Sequence, residues 1–315
     1  MRNGYFGIGR SLAIVVVVTL AFNIVGGVIL VSLYGIDIKG GSPSVIVLAN
    51  SFAQILVMLG VPILIVRSSG HNFFEAYRLE GMRETKLPVH LIGLPIIALA
   101  QIVGGAFASL WILALKEFPD LFANLQSFQK NIDDMMSGLT SANSPTEMTI
   151  LLFGVAIVPA FVEESFFRGF IQTNIERSGN GKSRPYIAII ITSVLFAAVH
   201  LSPLQFPGLL TIGLLLGWLA YRTCDLRVSI LAHAFNNGAI VILAYFLRSN
   251  SEFVNSLTDT PDISLEASLT MLGFSLPILF GLLYVFQKMT EPLHARENAD
   301  LYIEHYNSIE LTNIP

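Results

Sequence analysis

The chain has 315 residues, of which 53% are hydrophobic and 13% are charged, and its formal net charge is −4 at pH 7. Soluble domains average about 25% charged residues, so this composition excludes an ordinary soluble protein and indicates one membrane-embedded domain. The small negative charge gives no indication of a nucleic-acid partner. The single cysteine, Cys224, excludes an internal disulfide.

Eight apolar segments are predicted to be membrane-spanning helices, because a span needs about 20 apolar residues. They cover residues 11–33, 45–66, 89–115, 148–170, 185–201, 206–222, 228–247 and 267–288. The first is longer than a secretory signal core of about 7–15 residues, so we interpret it as an uncleaved span. The short fifth and sixth segments flank Ser202 and Pro203 and are predicted to form a helical hairpin.

The basic residues predict the orientation of these spans. If the N-terminus lies inside, the outer segments contain only Lys39, Lys116, Lys130 and Arg248 of the 18 basic residues. The positive-inside rule then favours eight spans with both termini cytoplasmic. The predicted fold is therefore all-α, a polytopic membrane helix bundle. Residues 1–290 would form its single domain, and residues 291–315 a polar cytoplasmic tail.

The outer segment between the third and fourth spans carries a helical pattern over residues 121–139. Its apolar residues recur at intervals of three and four: Leu121, Leu125, Phe128, Ile132, Met135 and Leu139. This spacing predicts an amphipathic helix that lies on the outer membrane interface or caps the bundle. The simplest interpretation is a surface helix with no role in catalysis.

The fourth span contains Glu163, Glu164 and Arg168. Glu164 and Arg168 are one turn apart, so they are predicted to form an ion pair that lowers the cost of burying both charges. Glu163 projects about 100° away around the helix and could face a cavity as a general base. The alternative is a structural salt bridge at the cytoplasmic end of the helix.

Two further polar clusters occur in other spans. His200 lies one turn after Phe196, whose ring could orient the imidazole, although a histidine there could simply pack. His233 and Asn237 share a helix face, so their side chains could donate jointly to an oxyanion. Interhelical hydrogen bonding is the alternative for that pair. Because ionisable groups within spans are costly, we interpret the three clusters as one site between helices.

Helix length sets a condition on this site. At ~1.5 Å per residue, Glu163 and His200 reach similar depths, about 20 and 22 Å, only if the fourth helix continues to near Arg177. The site hypothesis therefore predicts a long, partly buried fourth helix. His233 lies only about 9 Å beyond Arg227 by the same rise, which makes it the least secure member.

The patterns Glu-Glu-x-x-x-Arg, Phe-x-x-x-His and His-x-x-x-Asn occur here in that order. Together they resemble the CAAX protease and bacteriocin-processing family of intramembrane proteases, which includes the bacterial Abi-domain proteins. The similarity covers roughly residues 148–247. It implies that Glu163 and His200 activate water, that His233 and Asn237 stabilise the oxyanion, and that the remaining motif residues, Glu164, Arg168 and Phe196, support the site.

The resemblance implies an endopeptidase acting on a membrane-associated or lipidated peptide or protein. We favour a peptide or leader substrate and a bacterial plasma membrane, since many relatives of this kind are bacterial. A non-catalytic immunity or partner-binding protein of the same fold is the alternative. A proton-coupled transporter is disfavoured, because the first half of the chain has no matching polar cluster.

A metal is possible in this site. Glu163, His200 and His233 could ligate zinc, but the chain has no His-Glu-x-x-His helix and asparagine is a poor zinc ligand. We therefore expect a glutamate-activated water with no obligatory metal.

Overall fold

The computed structural model describes residues 7–35, 42–68, 77–78, 85–140, 142–178, 184–248 and 263–312, with the backbone alone over 132–140 and 291–312. The described residues form nine helices and no β-strand. The helices are α1 Ile8–Tyr34, α2 Pro43–Ser68, α3 Leu87–Leu115, α4 Pro119–Thr140, α5 Pro145–Arg177, α6 Arg184–Val199, α7 Phe206–Thr223, α8 Leu226–Phe246 and α9 Leu265–Thr312.

Six of the described helices are long and apolar enough to cross a membrane: α1, α2, α3, α5, α8 and residues Leu265–Thr290 of α9. The predicted fifth and sixth spans are present as α6 and α7, but these helices have only 16 and 18 residues. The all-helical membrane fold is therefore confirmed. Length and composition support six crossings, and the count of eight stays a prediction.

Apolar side chains pack into two main cores. In the first, α1, α2 and α6 surround aromatic residues of α5, among them Phe166, Phe167 and Phe170. In the second, α3 packs against α7, α8 and α9 through residues such as Ile96, Leu216 and Phe286. The polar motifs of α5 and α8 thus come from opposite cores and meet where the cores adjoin.

Helix α4 confirms the predicted amphipathic segment as a helix, although only part of its apolar stripe packs on the bundle. Leu125 contacts the cluster around Ile112 and Leu204, whereas Leu121 and Phe128 are exposed. The Gln129 carboxamide donates to Ser202 Oγ at 2.9 Å. The helix therefore covers the turn between α6 and α7. The side chains of Ile132, Met135 and Leu139 lie outside the described residues.

Arg78, which the topology prediction treats as an inner-loop charge, is buried. Its guanidinium donates to Thr173 Oγ1 at 2.9 Å and forms an ion pair with Glu176. A third hydrogen bond reaches the Ala220 carbonyl oxygen at 3.3 Å. Because both carboxylate and guanidinium are shielded from water, Arg78 fixes the end of α5 to α7 instead of acting as a solvated charge.

Gly154 allows α5 to lie close against α2. A Cβ atom built at Gly154 would lie 2.2 Å from Val47 Cγ1 and 3.0 Å from Ser51 Oγ. We expect Gly154→Ala to lower the free energy of unfolding by about 1–3 kcal/mol through overpacking. Adding Val47→Ala should recover much of this loss, and Gly26→Ala, whose nearest contact is 3.8 Å, is the matched control. Equal thermal unfolding midpoints for all three proteins would contradict the close packing.

Candidate active site

Helix α5 is the central element of the site. Every residue from Val162 to Glu176 is buried, and the helix continues nine residues beyond Arg168, from 168 to 177. This confirms the long, buried fourth helix that the depth condition requires. Two stretches of α5, Leu152–Ile157 and Ser165–Gln172, are π-helical. Such stretches shift the helix register and are frequent at functional sites.

A buried charge array joins α5 to α8. Arg168 Nη1 donates to Glu164 Oε1 at 2.6 Å, and both side chains are fully buried, so the predicted ion pair is confirmed. His233 Nδ1 lies 2.9 Å from the same Glu164 oxygen. Arg168 Nη2 also donates to the Gly213 carbonyl oxygen at 3.2 Å. Glu164 therefore connects Arg168 to His233, although helix rise alone predicts a shallower depth for His233 than for Glu163 and His200.

Phe196 packs between the charged array and His200. The Arg168 guanidinium lies 4.4 Å from the Phe196 ring centroid, a cation–π contact. The imidazole rings of His200 and His233 lie 4.6 and 6.0 Å from the same ring. The predicted contact between Phe196 and His200 is present, and Phe196 also contacts the other two motifs.

His200 lies at the end of α6, where Leu201 adopts a left-handed φ of 53° and the helix stops. Its Nδ1 is 2.7 Å from the Phe196 carbonyl oxygen. A carbonyl oxygen can only accept, so Nδ1 carries the proton and neutral His200 presents a lone pair at Nε2. That nitrogen can accept a proton from water.

His233 and Asn237 are linked directly. The Asn237 amide nitrogen donates to the Val155 carbonyl oxygen at 3.1 Å and lies 3.3 Å from His233 Nε2. Asn236 Nδ2 is 3.4 Å from Asn237 Oδ1, which favours this orientation of the Asn237 amide. Since Glu164 accepts the Nδ1 proton, a neutral His233 has an acceptor at Nε2, and only the imidazolium can donate there.

Glu163 has a different environment from its neighbour. Its Oε1 accepts a weak hydrogen bond from Gln54 Nε2 of α2 at 3.4 Å. Its other oxygen, Oε2, is buried and has no hydrogen-bond partner within the described part of the chain. A buried carboxylate oxygen left open in this way can accept a proton from a water molecule or a substrate.

A cavity of about 330 Å³ opens beside the motifs. Phe196, His200, His233 and Asn237 line it, together with residues of α3 and α7. Glu163 is not among its lining residues. The structure therefore brings three of the four predicted catalytic side chains to one cavity and leaves the fourth, Glu163, outside its lining.

The zinc set considered from the sequence does not form a metal site in this arrangement. Among the described residues, no three His, Cys, Asp or Glu side chains are grouped so that they could hold a metal ion. Both nitrogens of His233 already contact protein groups, Glu164 and Asn237. The donor geometry thus does not fit a zinc ion held by Glu163, His200 and His233.

The sequence motifs do not include three groups that the structure places at the site: Gln54, Asn236 and the Val155 carbonyl. Gln54 is a buried amide in an apolar span, so its polarity was a usable signal. Asn236 neighbours Asn237 on a helix, so helix geometry predicts that it faces elsewhere, yet its amide contacts Asn237. The sequence does not indicate a role for the Val155 carbonyl, because which side chain it meets depends on the π-helical register of α5.

Residues 145–239 match the family model described as Rce1-like, type II CAAX prenyl endopeptidase Rce1-like. No curated protein and no solved structure matches the chain. The matched region contains every motif residue described above, from Glu163 to Asn237. The resemblance drawn from the three motifs is therefore confirmed, and the chain is an integral membrane protein whose residues 145–239 match this family model.

Proposed function

We propose that the protein is an intramembrane endopeptidase that hydrolyses a peptide bond of a membrane-associated or lipidated peptide or protein. The observation that carries the proposal is the array of Arg168, Glu164 and His233 beside a cavity that also holds His200. It combines a base and an oxyanion donor from the matched region with a space for substrate that α3 helps to line.

Water activation is assigned to Glu163 and His200. The lone pair of His200 Nε2 orients a water molecule, and the open oxygen of Glu163 accepts its proton. Because Glu163 is not among the residues that line the cavity, the proposal requires its carboxylate to turn toward His200 when substrate enters. Catalytic contacts commonly tighten in this way on substrate binding.

Oxyanion stabilisation is assigned to His233 and Asn237. This role requires His233 as the imidazolium, whose Nδ1–H donates to Glu164 Oε1 and whose Nε2–H is then available to donate to the oxyanion. The water oxygen bonds to the substrate carbonyl carbon, and the carbonyl oxygen becomes an oxyanion that accepts from Nε2–H and the Asn237 amide. When the carbon–nitrogen bond breaks, the protonated Glu163 returns its proton to the leaving amine. No step uses a metal.

The proposal also includes the orientation of the chain in the membrane and its division into one domain and a tail. The basic residues favour both termini on the cytoplasmic side, with residues 1–290 as one membrane domain and 291–315 as a polar tail. A bacterial plasma membrane and a peptide or leader substrate suit this arrangement.

The test compares the peptides released from membranes that contain the wild type, Glu163→Ala or His200→Ala at equal abundance. We expect a set of peptides that depends on the wild type and is lost in both Glu163→Ala and His200→Ala. Identical peptide sets from all three proteins would contradict the protease function. They would favour the non-catalytic alternative, in which a partner binds the same fold.

A further inference from the structure

Gln54 is a buried amide in the apolar helix α2. Its side chain does not face lipid, because the residue is only 6% exposed. An amide inside a membrane-spanning helix is costly unless it is hydrogen-bonded. The amide nitrogen donates to Glu163 Oε1 at 3.4 Å, and this is its one side-chain hydrogen bond within the described part of the chain. The partner of this amide is therefore the candidate general base.

The backbone of α2 places Gln54 against α5. A π-helical stretch, Gln54–Leu59, begins at this residue, and such stretches are frequent at functional sites. Three residues earlier, Ser51 Oγ donates to the Gly154 carbonyl oxygen of α5 at 3.3 Å. The absence of a side chain at Gly154 permits this close approach, since a Cβ there would lie 3.0 Å from Ser51 Oγ. The close packing of the two helices brings an amide of this length to Glu163.

The contact makes the two oxygens of Glu163 different. Oε1 accepts from Gln54, whereas Oε2 is buried and has no hydrogen-bond partner within the described residues. A lone pair that already accepts a hydrogen bond is less available to take a proton, so Oε2 is the better base. At 3.4 Å the bond is weak, and catalytic hydrogen bonds often tighten only when substrate binds.

A purely structural role is the alternative, because amides commonly join helices within membranes. Gln54 satisfies that role poorly. Its own Oε1 is buried without a hydrogen-bond partner in the described part of the chain, and an unsatisfied buried acceptor offsets the gain from one weak bond. Stability alone therefore does not account for an amide at this position.

We propose that Gln54 is a positioning residue for Glu163: it holds Oε1 and leaves Oε2 as the oxygen that takes the proton of water. The proposal rests on the endopeptidase function, in which Glu163 is the base. It extends the site to α2, which lies outside the matched residues 145–239.

The experiment replaces Gln54 by methionine, an unbranched side chain of similar size without an amide. Asn50→Leu is the matched control, because Asn50 is a half-buried amide one turn earlier on the same helix. Steady-state kcat and KM are measured in proteoliposomes. The reporter is a synthetic peptide with a Leu/Ala membrane anchor and the cleavage site of a peptide that the wild type releases.

We expect Gln54→Met to lower kcat about tenfold, the effect of losing one hydrogen bond to a charged group. KM should change by less than about twofold, since Gln54 does not touch the substrate. The thermal unfolding midpoint should not fall, because the variant also removes an unsatisfied acceptor. Asn50→Leu should leave kcat unchanged.

A second background tests whether Gln54 acts through Glu163. Glu163→Asp keeps a carboxylate but shortens the side chain by one methylene, which takes it out of reach of Gln54. Adding Gln54→Met to this variant should lower kcat by less than about twofold. An unchanged kcat in Gln54→Met alone, or the same fall in kcat in both backgrounds, would overturn the proposal.

An infrared measurement separates this proposal from the protease function. The difference spectrum between the wild type and Glu163→Gln isolates the carboxyl band of Glu163. The same difference, recorded with Gln54→Met in both chains, should show that band shifted, and an unshifted band would contradict the contact. An uncut reporter with a shifted band would reject the endopeptidase function and keep the contact. Cleavage by the wild type with an unshifted band would reject the role of Gln54 alone.

Discussion

Replacing Glu163 by glutamine is expected to lower the rate of peptide-bond hydrolysis about 10²–10⁴-fold, the usual contribution of a general base. Glutamine has nearly the same shape and can keep a contact with Gln54, but it cannot accept the water proton. The measurement is the single-turnover cleavage rate of a reporter peptide in proteoliposomes. The thermal unfolding midpoint of the variant should stay close to that of the wild type.

Glu147→Gln is the matched control for this loss. Glu147 is a carboxylate on the same helix, near its N-terminal end, where it accepts from the Asn143 backbone N–H at 2.7 Å. Its substitution should leave the cleavage rate unchanged. A Glu163→Gln protein that retains a tenth or more of the wild-type rate would remove Glu163 from the mechanism.

The second large effect concerns the buried array. Arg168→Met removes the cation and leaves the Glu164 carboxylate fully buried with His233 as its remaining partner. Breaking a buried pair by removing one partner costs about 3–5 kcal/mol of unfolding free energy. We expect a loss of that size, measured by thermal or denaturant unfolding in detergent.

A double variant separates the ion pair from the packing of its side chains. Glu164→Gln with Arg168→Met leaves no unpaired charge, and the glutamine oxygen can still accept from His233. The double variant should be more stable than Arg168→Met alone, although it should be inactive because a neutral amide replaces the carboxylate that accepts from His233 Nδ1–H in the proposed mechanism. If the loss of unfolding free energy in the double variant equals the sum of the losses in Glu164→Gln and Arg168→Met measured separately, the two residues are not coupled in the folded protein.

Local patterns predicted the parts of the site that depend on one helix. The four-residue spacing predicted the Glu164–Arg168 pair, and the contact of Phe196 with His200 followed from the same spacing on α6. The apolar segments predicted the helices, and depth arithmetic predicted the length of α5. Each of these relations is fixed by helix geometry, which the sequence carries directly.

Contacts between helices were not predictable in the same way. The hydrogen bond of His233 to Glu164 depends on the tilt of α8 against α5, and that tilt is set by packing of the two cores. The direction in which Glu163 projects depends on the π-helical stretches that flank it, Leu152–Ile157 and Ser165–Gln172. A pattern of 3.6 residues per turn contains no signal for such shifts.

The most direct test of the endopeptidase function is mass analysis of reporter cleavage by the purified wild type alone in liposomes, in water enriched in ¹⁸O. Hydrolysis predicts two fragments whose masses sum to the reporter plus one water, with one ¹⁸O in the new carboxylate. Neither fragment should form with Glu163→Gln. An uncut reporter with the wild type, or equal cleavage by both proteins, would contradict the function proposed for this chain.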